Sequence, residues 1–284
     1  MEQIQSVDEP IRLPDLNEGS ENALFVTQVV RAVIDLTLAP FFMLYARVRY
    51  SDSFYDPQNI TNDRTPVLLI HGSGSNPLQW SFFRCFLNGS SVGHVFSVAL
   101  NDSMVVNDDK TIDEYASERI AQKIDKLKEL YLQKNIKLNE VILVGHSMGG
   151  LVAGAYTVNL AEGANIKVKA LISLNTPWYG SKIADLLFRR ERRPEGAFLT
   201  TSPETKNLRE RLLEKGISIY TFSGSGDGLV RPYSSSLPVP KENQIFSRVH
   251  DHYSVMADAK TARDICARWI IPNTSSMSAA FTEE

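Results

Sequence analysis

The stretch Val141-Ile142-Leu143-Val144-Gly145-His146-Ser147-Met148-Gly149-Gly150-Leu151 decides the fold of this 284-residue chain. Its all-apolar start predicts a strand that is covered on both faces, as at the centre of a parallel sheet. A helix is predicted to follow over 148–160. A serine between such a strand and such a helix is typical of a nucleophile held on a tight turn. Glycines two positions before and after it are expected because a Cβ there would strike a neighbouring strand or helix. The alternative is a glycine-rich turn in which the serine only caps the helix.

Signals for strands and helices alternate on both sides of that stretch, from Pro66 onward. Such alternation implies crossover connections, and therefore a mostly parallel central sheet with helices on both faces. The composition agrees with one enzyme-sized domain, since 43% of the residues are hydrophobic and 22% are charged. Strands are predicted over 67–70, 94–100, 141–144, 168–174, 217–222 and 244–249, and helices over 77–87, 112–132, 148–160, 204–215 and 257–270.

A serine nucleophile needs a base to take its proton and a carboxylate to orient that base, so two further residues are expected downstream. The base is predicted at His252, in the loop after the last strand, with His250 as the alternative. The acid is predicted at Asp227, in a glycine-rich loop that follows a strand, where a simple Asx-turn is the alternative. Of the other nearby carboxylates, Asp251 is expected to point away from the ring and Asp258 to lie in the next helix.

Two main-chain N–H groups are predicted to form an oxyanion hole. Met148 opens the helix after the serine, so its N–H lacks an intrahelical partner and lies at the positive end of the helix dipole. The second donor is predicted at Ser73, because Gly72 lets the chain turn toward the nucleophile after the first strand. A flexible turn without a catalytic role is the alternative for this loop.

Five motifs together resemble the lipases of the α/β-hydrolase superfamily, in the group that holds triacylglycerol lipases and PGAP1-like esterases. The resemblance spans about Thr65 to Ile271 and implies the α/β-hydrolase fold, with a helical cap or lid over 181–213. This chain departs from the pattern in its long apolar N-terminal segment and in having Asp251 where many relatives carry a glycine. The motifs are the first strand with His71-Gly72, Gly145 to Leu151, Asn175-Thr176-Pro177-Trp178-Tyr179-Gly180-Ser181, Gly226 to Val230, and His252.

What the resemblance implies is a serine carboxylic-ester hydrolase, a lipase or esterase that acts on lipid or acyl esters through an acyl-enzyme and needs no cofactor or metal. Trp80, Trp178, Tyr179 and Phe188 flank the motif loops and are the predicted substrate contacts. A thioesterase or amidase could use the same catalytic residues. A hypothesis of another class is a membrane-associated binding module whose catalytic residues are idle.

The ends of the chain are predicted to lie outside the catalytic domain, which is assigned to 65–272 with a C-terminal tail over 273–284. The polar tail over 1–22 has neither the basic start nor the apolar centre of a secretory signal, so a cytoplasmic location is expected. The segment over 23–64 is apolar, but its longest uncharged run, 36–46, is short for a bilayer span. Packing on the domain, in-plane membrane contact and a spanning helix are the alternatives for this segment. The predicted cap could also contact a membrane surface. A net charge of -3 gives no basic field for nucleic acid.

Overall fold

Within the residues that the computed structural model describes, six strands form one sheet with the order β2-β1-β3-β4-β5-β6. Every neighbouring pair of strands is parallel. The described residues are 56–57, 59–88, 92–100, 110–182, 201–248 and 250–277. The strands are β1 (Val67–Ile70), β2 (Val95–Val98), β3 (Glu140–His146), β4 (Lys167–Leu174), β5 (Ser218–Gly224) and β6 (Gln244–Ser247).

Helices cover both faces of the sheet. Leu68 and Ile70 of β1 belong to one apolar cluster, and Val67 and Leu69 belong to the other. Alternate residues of the strand therefore face opposite layers of helices, as expected for a strand buried on both sides. The α-helices are α1 (Ser81–Asn88), α2 (Ile112–Tyr115), α3 (Gln122–Leu132), α4 (Met148–Asn159), α5 (Pro203–Glu214), α6 (Pro232–Ser235) and α7 (Ala259–Ile265).

Short helices of other types extend several of these elements. The predicted helix over 112–132 is continuous but contains a π-helical segment, Ala116–Ala121, between α2 and α3. The predicted helix over 77–87 begins as a 3-10 turn, Pro77–Trp80, before α1. A second π-helical segment, Cys266–Ile270, continues α7. The remaining 3-10 turns are Lys241–Asn243, Ser254–Met256 and Ile271–Asn273.

The strand order reverses between β1 and β3. The chain passes from β1 outward to β2, and then returns to place β3 on the other side of β1. In an open parallel sheet, loops diverge at such a reversal and leave a crevice at the carboxyl ends of the strands. Ser147 follows β3 and Gly72 follows the end of β1, so both lie at this crevice.

The C-terminal residues up to Met277 are part of the domain, which the sequence analysis ended at residue 272. The N–H of Met277 donates to the carbonyl of Asp63 at 2.7 Å, and the N–H of Thr65 donates to that of Ser275 at 2.8 Å. The side chain of Met277 is only 5% exposed. The segment therefore packs on the start of the domain and does not behave as a tail there.

Several predicted features lie outside the described residues, namely the N-terminal segment up to residue 55 and most of the predicted cap, 183–200, including Phe188. The described end of that cap is α5, whose Leu212 packs in the core beside Gly154 of α4. The described helix of the predicted cap therefore packs against α4 in the core, and no cap is confirmed. None of the helices in the described ranges has the length and apolar character required to cross a bilayer.

Candidate active site

Ser147 occupies a strained turn between β3 and α4. Its φ of 53° and ψ of −125° are unusual for a residue with a side chain. The turn is fixed by its main chain, since the Ser147 N–H donates to the Leu174 carbonyl at 2.9 Å and its carbonyl accepts from Gly150 at 3.0 Å. The side chain is half-buried and forms no capping bond to the helix. A strained serine between a strand and a helix is typical of a nucleophile turn.

The glycines on both sides of Ser147 are needed because backbone atoms fill the space of a side chain. A Cβ on Gly145 would lie 2.5 Å from the carbonyl oxygen of Gly149. A Cβ on Gly149 would lie 2.3 Å from the carbonyl oxygen of Ile70. Helix α4 therefore approaches β1 closely enough that the turn can hold Ser147 at the end of the sheet.

Asp227 and His252 form a buried pair in the loops that follow β5 and β6. The Nδ1 of His252 lies 2.7 Å from Oδ2 of Asp227, and the two side chains are 3% and 0% exposed. The other oxygen of Asp227, Oδ1, accepts from the N–H groups of Leu229 and Val230, both at 2.8 Å. Since a carboxylate can only accept, Nδ1 of His252 carries the proton and Nε2 is left as the basic nitrogen.

The alternative acid and base residues are occupied elsewhere. The ring of His250 contacts the hydroxyl of Ser247 through Nδ1 and lies 3.5 Å from the carboxylate of Asp258 through Nε2. The Oδ1 of Asp251 accepts from the N–H groups of Tyr253 and Ser254, at 2.9 and 2.7 Å. These contacts favour His252 over His250 and Asp227 over Asp251.

His146 connects the nucleophile turn to the loop of His252. Its Nε2–H donates to the main-chain carbonyl of His252 at 2.7 Å, and the two ring centroids are 4.7 Å apart. Burial and the neighbouring His252 hold the pKa of His146 well below its usual range. A neutral ring therefore packs against the ring of His252. From the sequence alone His146 is expected to be a structural or surface group, and its position directly before Ser147 is the signal for a place at the site.

The loop after β1 lies directly against Ser147. A Cβ on Gly72 would lie 3.0 Å from the Cβ of Ser147, so a side chain there would crowd Ser147. His71 fixes this loop, since its Nε2 accepts from the N–H of Leu100 at 2.9 Å and its Nδ1 therefore donates to the Gly72 carbonyl at 2.8 Å. Ser73 is exposed in the following turn, and Met148 is buried at the start of α4.

The predicted aromatic substrate contacts are placed differently from one another. Trp80 and Trp178 are both 0% exposed, so in this structure neither offers a surface to a substrate. The indole N–H of Trp178 donates to the hydroxyl of Ser173 at 3.1 Å, which holds the ring in the core. Tyr179 is half-buried, with the guanidinium of Arg209 4.1 Å from its ring centre. It is the one predicted aromatic contact with accessible surface in the described part of the chain.

Comparisons with known proteins agree with this architecture. The family model of the PGAP1-like alpha/beta domain matches residues 61–190. The mature form of the Bacillus licheniformis lipase BlEst2 superposes with a TM-score of 0.54 at 18% identity, over 76% of this chain and 95% of that one. The chain has the α/β-hydrolase fold. The product of the gene lin2722 from Listeria innocua shares this fold with a TM-score of 0.53 at 15% identity, over 74% of this chain and 94% of that one.

Within the α/β-hydrolase fold, the elements that carry the candidate residues occur in the usual chain order of nucleophile, acid and base. A search of the curated proteins returned no significant match. At these identities the structural likeness establishes the fold alone, because one fold can carry many different chemistries.

Proposed function

We propose that this protein is a serine hydrolase of carboxylic esters. The observation that carries the proposal is the buried pair of Asp227 and His252, 2.7 Å apart in the loops after β5 and β6, together with a serine held at a φ of 53° after β3. The pair leaves Nε2 of His252 as a base, and the strained turn of Ser147 is the type that presents a hydroxyl at the edge of such a sheet. Both features are needed for a serine nucleophile.

The first half of the reaction forms an acyl-enzyme. The Oγ of Ser147 attacks the ester carbonyl while Nε2 of His252 takes its proton, and Asp227 stabilises the resulting imidazolium. The main-chain N–H groups of Met148 and Ser73 hold the negative oxygen of the tetrahedral intermediate. The intermediate collapses, the carbon–oxygen bond to the alcohol breaks, and His252 returns the proton to the leaving alcohol.

The second half of the reaction restores the enzyme. A water molecule gives its proton to His252 and attacks the acyl carbon, and the bond to Ser147 then breaks with return of that proton to the serine. The products are a carboxylic acid and an alcohol. No step requires a metal or a cofactor.

The proposed substrates are lipid or other acyl esters. The lipase BlEst2 shares the fold over most of its length, and the match to a PGAP1-like domain supports the same superfamily. Tyr179, half-buried with its ring against Arg209 of α5, is the proposed aromatic contact of the substrate.

A fluorophosphonate probe tests the proposal directly, because its phosphorus bonds to an activated serine oxygen with loss of fluoride. We expect the wild-type protein to be labelled and Ser147→Ala to be unlabelled. Ser117→Ala is the matched control, because Ser117 is an exposed serine in the π-helical segment between α2 and α3, distant in sequence from Ser147. This variant should be labelled like the wild type. Equal labelling of Ser147→Ala, or no labelling of the wild type, would reject the serine hydrolase.

Hydrolysis of a lipid extract, with Ser147→Ala as the blank, then identifies the substrate class. Release of fatty acids in the wild type alone supports a lipase. A matched series of an ester, a thioester and an amide with one acyl chain separates an esterase from a thioesterase or an amidase. A protein that takes the probe but cleaves none of the three would not be a carboxylic-ester hydrolase.

A further inference from the structure

Asn175 lies between the loops of the candidate acid and base and contacts both. It follows the last residue of β4, is 0% exposed and has a φ of 48°. Its main-chain N–H donates to the carbonyl of Phe222 in β5 at 3.0 Å. A buried asparagine in a left-handed conformation is costly unless the polar atoms of its carboxamide form hydrogen bonds. The contacts of the carboxamide therefore account for an asparagine at this position.

The carboxamide oxygen of Asn175 faces the strand of the acid. Its Oδ1 accepts from the N–H of Gly224, the last residue of β5, at 2.9 Å. Gly224 is three residues before Asp227, and its own carbonyl accepts from the N–H of Asp227 at 3.2 Å. Asn175 therefore holds the start of the turn that carries the carboxylate.

The carboxamide nitrogen faces the loop of the base. Its two N–H groups reach two successive main-chain carbonyls, that of Asp251 at 3.1 Å and that of His252 at 3.3 Å. The His252 carbonyl also accepts from His146 at 2.7 Å, so two side chains anchor one peptide group. This anchor is independent of the bond between the imidazole and Asp227.

We propose that Asn175 is a positioning residue, which sets the imidazole of His252 against Asp227 by joining their two loops through one rigid side chain. This inference rests on the proposed function, since it assigns the role of Asn175 in the same reaction. A displacement of about 1 Å in a reacting group can cost about 10² in rate. Loss of the carboxamide frees the loop of His252 from the strand of Asp227, so the turnover step should suffer while ground-state binding of the ester does not.

Asn175→Gly and Asn175→Asp test this role. Glycine keeps the left-handed backbone and removes every side-chain contact, whereas aspartate keeps the shape and the acceptor for Gly224 but loses both donors to the base loop. We expect each variant to lower kcat for a short ester by about 10²-fold and to leave KM within about twofold. Asn165→Gly is the matched control, because Asn165 has a φ of 53° and is exposed at the opposite end of β4. It should keep wild-type kcat.

Proton NMR gives a readout that does not depend on turnover. The Nδ1 proton of His252, shared with Asp227, should appear far downfield and be identified by its absence in His252→Gln. We expect this signal to broaden or vanish in both Asn175 variants while the thermal unfolding shows that they are folded. It should persist in Asn165→Gly.

Two outcomes overturn the role of Asn175: a kcat within about threefold of the wild type in both variants, or an unchanged downfield signal in both. A wild type that hydrolyses no ester rejects the proposed function separately, and the NMR signal then still decides whether Asn175 positions His252. Should Asn175→Gly fail to fold, the isosteric Asn175→Asp carries the same test.

Discussion

The carboxylate of Asp227 uses both oxygens, one for the imidazole of His252 and one for the N–H groups of Leu229 and Val230. Asn at position 227 would keep the acceptor for the two N–H groups and turn its NH₂ toward Nδ1 of His252. The ring would then have to carry its proton on Nε2, the nitrogen that has to be unprotonated to accept the proton of the serine.

Asp227→Asn is therefore expected to lower kcat for a short ester by about 10⁴-fold with little loss of stability. Steady-state hydrolysis and thermal unfolding measure the two effects. Asp251→Asn is the control, because its Oδ1 alone accepts the N–H groups of Tyr253 and Ser254 and an amide oxygen can do the same. Equal losses in both variants would argue against Asp227 as the partner of the base.

The buried ring of His146 predicts a dependence of stability on pH. The pKa of His146 is well below the usual value when the protein is folded, and it is about 6.5 when the protein is unfolded. Below about pH 6.5 the unfolded chain binds a proton that the folded ring refuses, so stability is complete above this pH and falls as the pH falls. The loss is about 1.4 kcal/mol per pH unit.

Urea unfolding at pH 7.5 and pH 5.5 measures this loss. His146→Gln removes the titration and retains an N–H donor, so the variant should lose less stability than the wild type between the two values. Carboxylates contribute equally to both proteins and cancel in the comparison. A variant with the same pH dependence as the wild type would show that another group is responsible.

At the scale of elements, the turn between β3 and α4 depends on glycine. Gly149→Ala is expected to destabilise the protein by about 3 kcal/mol, because its Cβ would lie 2.3 Å from the Ile70 carbonyl oxygen and neither backbone can yield. Gly163→Ala is the control, since its nearest neighbour would be 3.8 Å away. Urea unfolding compares the two, and similar midpoints would contradict the close packing of α4 on β1.

The elements of this fold were predictable because their signals are local. The apolar run of Val141 to Val144 and the alternation around it predicted every strand and the longer helices to within a few residues, whereas the four-residue helix α6 was not predicted. The partners of Asn175 were not predictable, since Gly224 and His252 are 49 and 77 residues away along the chain. Residues that act by joining distant loops leave no periodic pattern in a sequence.

The aromatic residues near the motifs show a second limit of prediction from the sequence. Trp178 lies within the motif over 175–181 in the sequence, yet its ring is buried in the core and its N–H donates to the hydroxyl of Ser173. Sequence proximity to a motif does not tell which face of the loop a side chain occupies. The accessible Tyr179 and the buried Trp178 are neighbours and could be distinguished only by the fold.

At the scale of the whole molecule, the C-terminal segment closes the domain against its start. The Oγ of Ser275 donates to Glu140 at 2.8 Å and accepts from Lys169 at 2.8 Å, and Met277 is buried. Truncation after Thr274 should therefore destabilise the protein by about 3 kcal/mol, from the lost hydrogen bonds and the lost apolar contact.

Thermal and urea unfolding measure the effect of this truncation. Truncation after Met277 is the matched control, because it keeps every contact named above, and it should be more stable than the protein truncated after Thr274. If the two truncated proteins have the same stability, the segment over 275–277 contributes nothing to the domain.

The candidate base, His252, lies in the loop that follows β6, the strand at one edge of the described sheet. β6 has four residues and is hydrogen-bonded to β5 alone among the described strands, and its Phe246 is 45% exposed. Short border strands open before central ones, so deuterium should replace the amide protons of β6 long before those of β3. Hydrolysis should accordingly fail in urea at concentrations that leave the rest of the sheet intact. The protein would lose its activity when β6 frays locally, while most of its tertiary structure persists. Loss of activity and of tertiary structure at the same urea concentration would refute this.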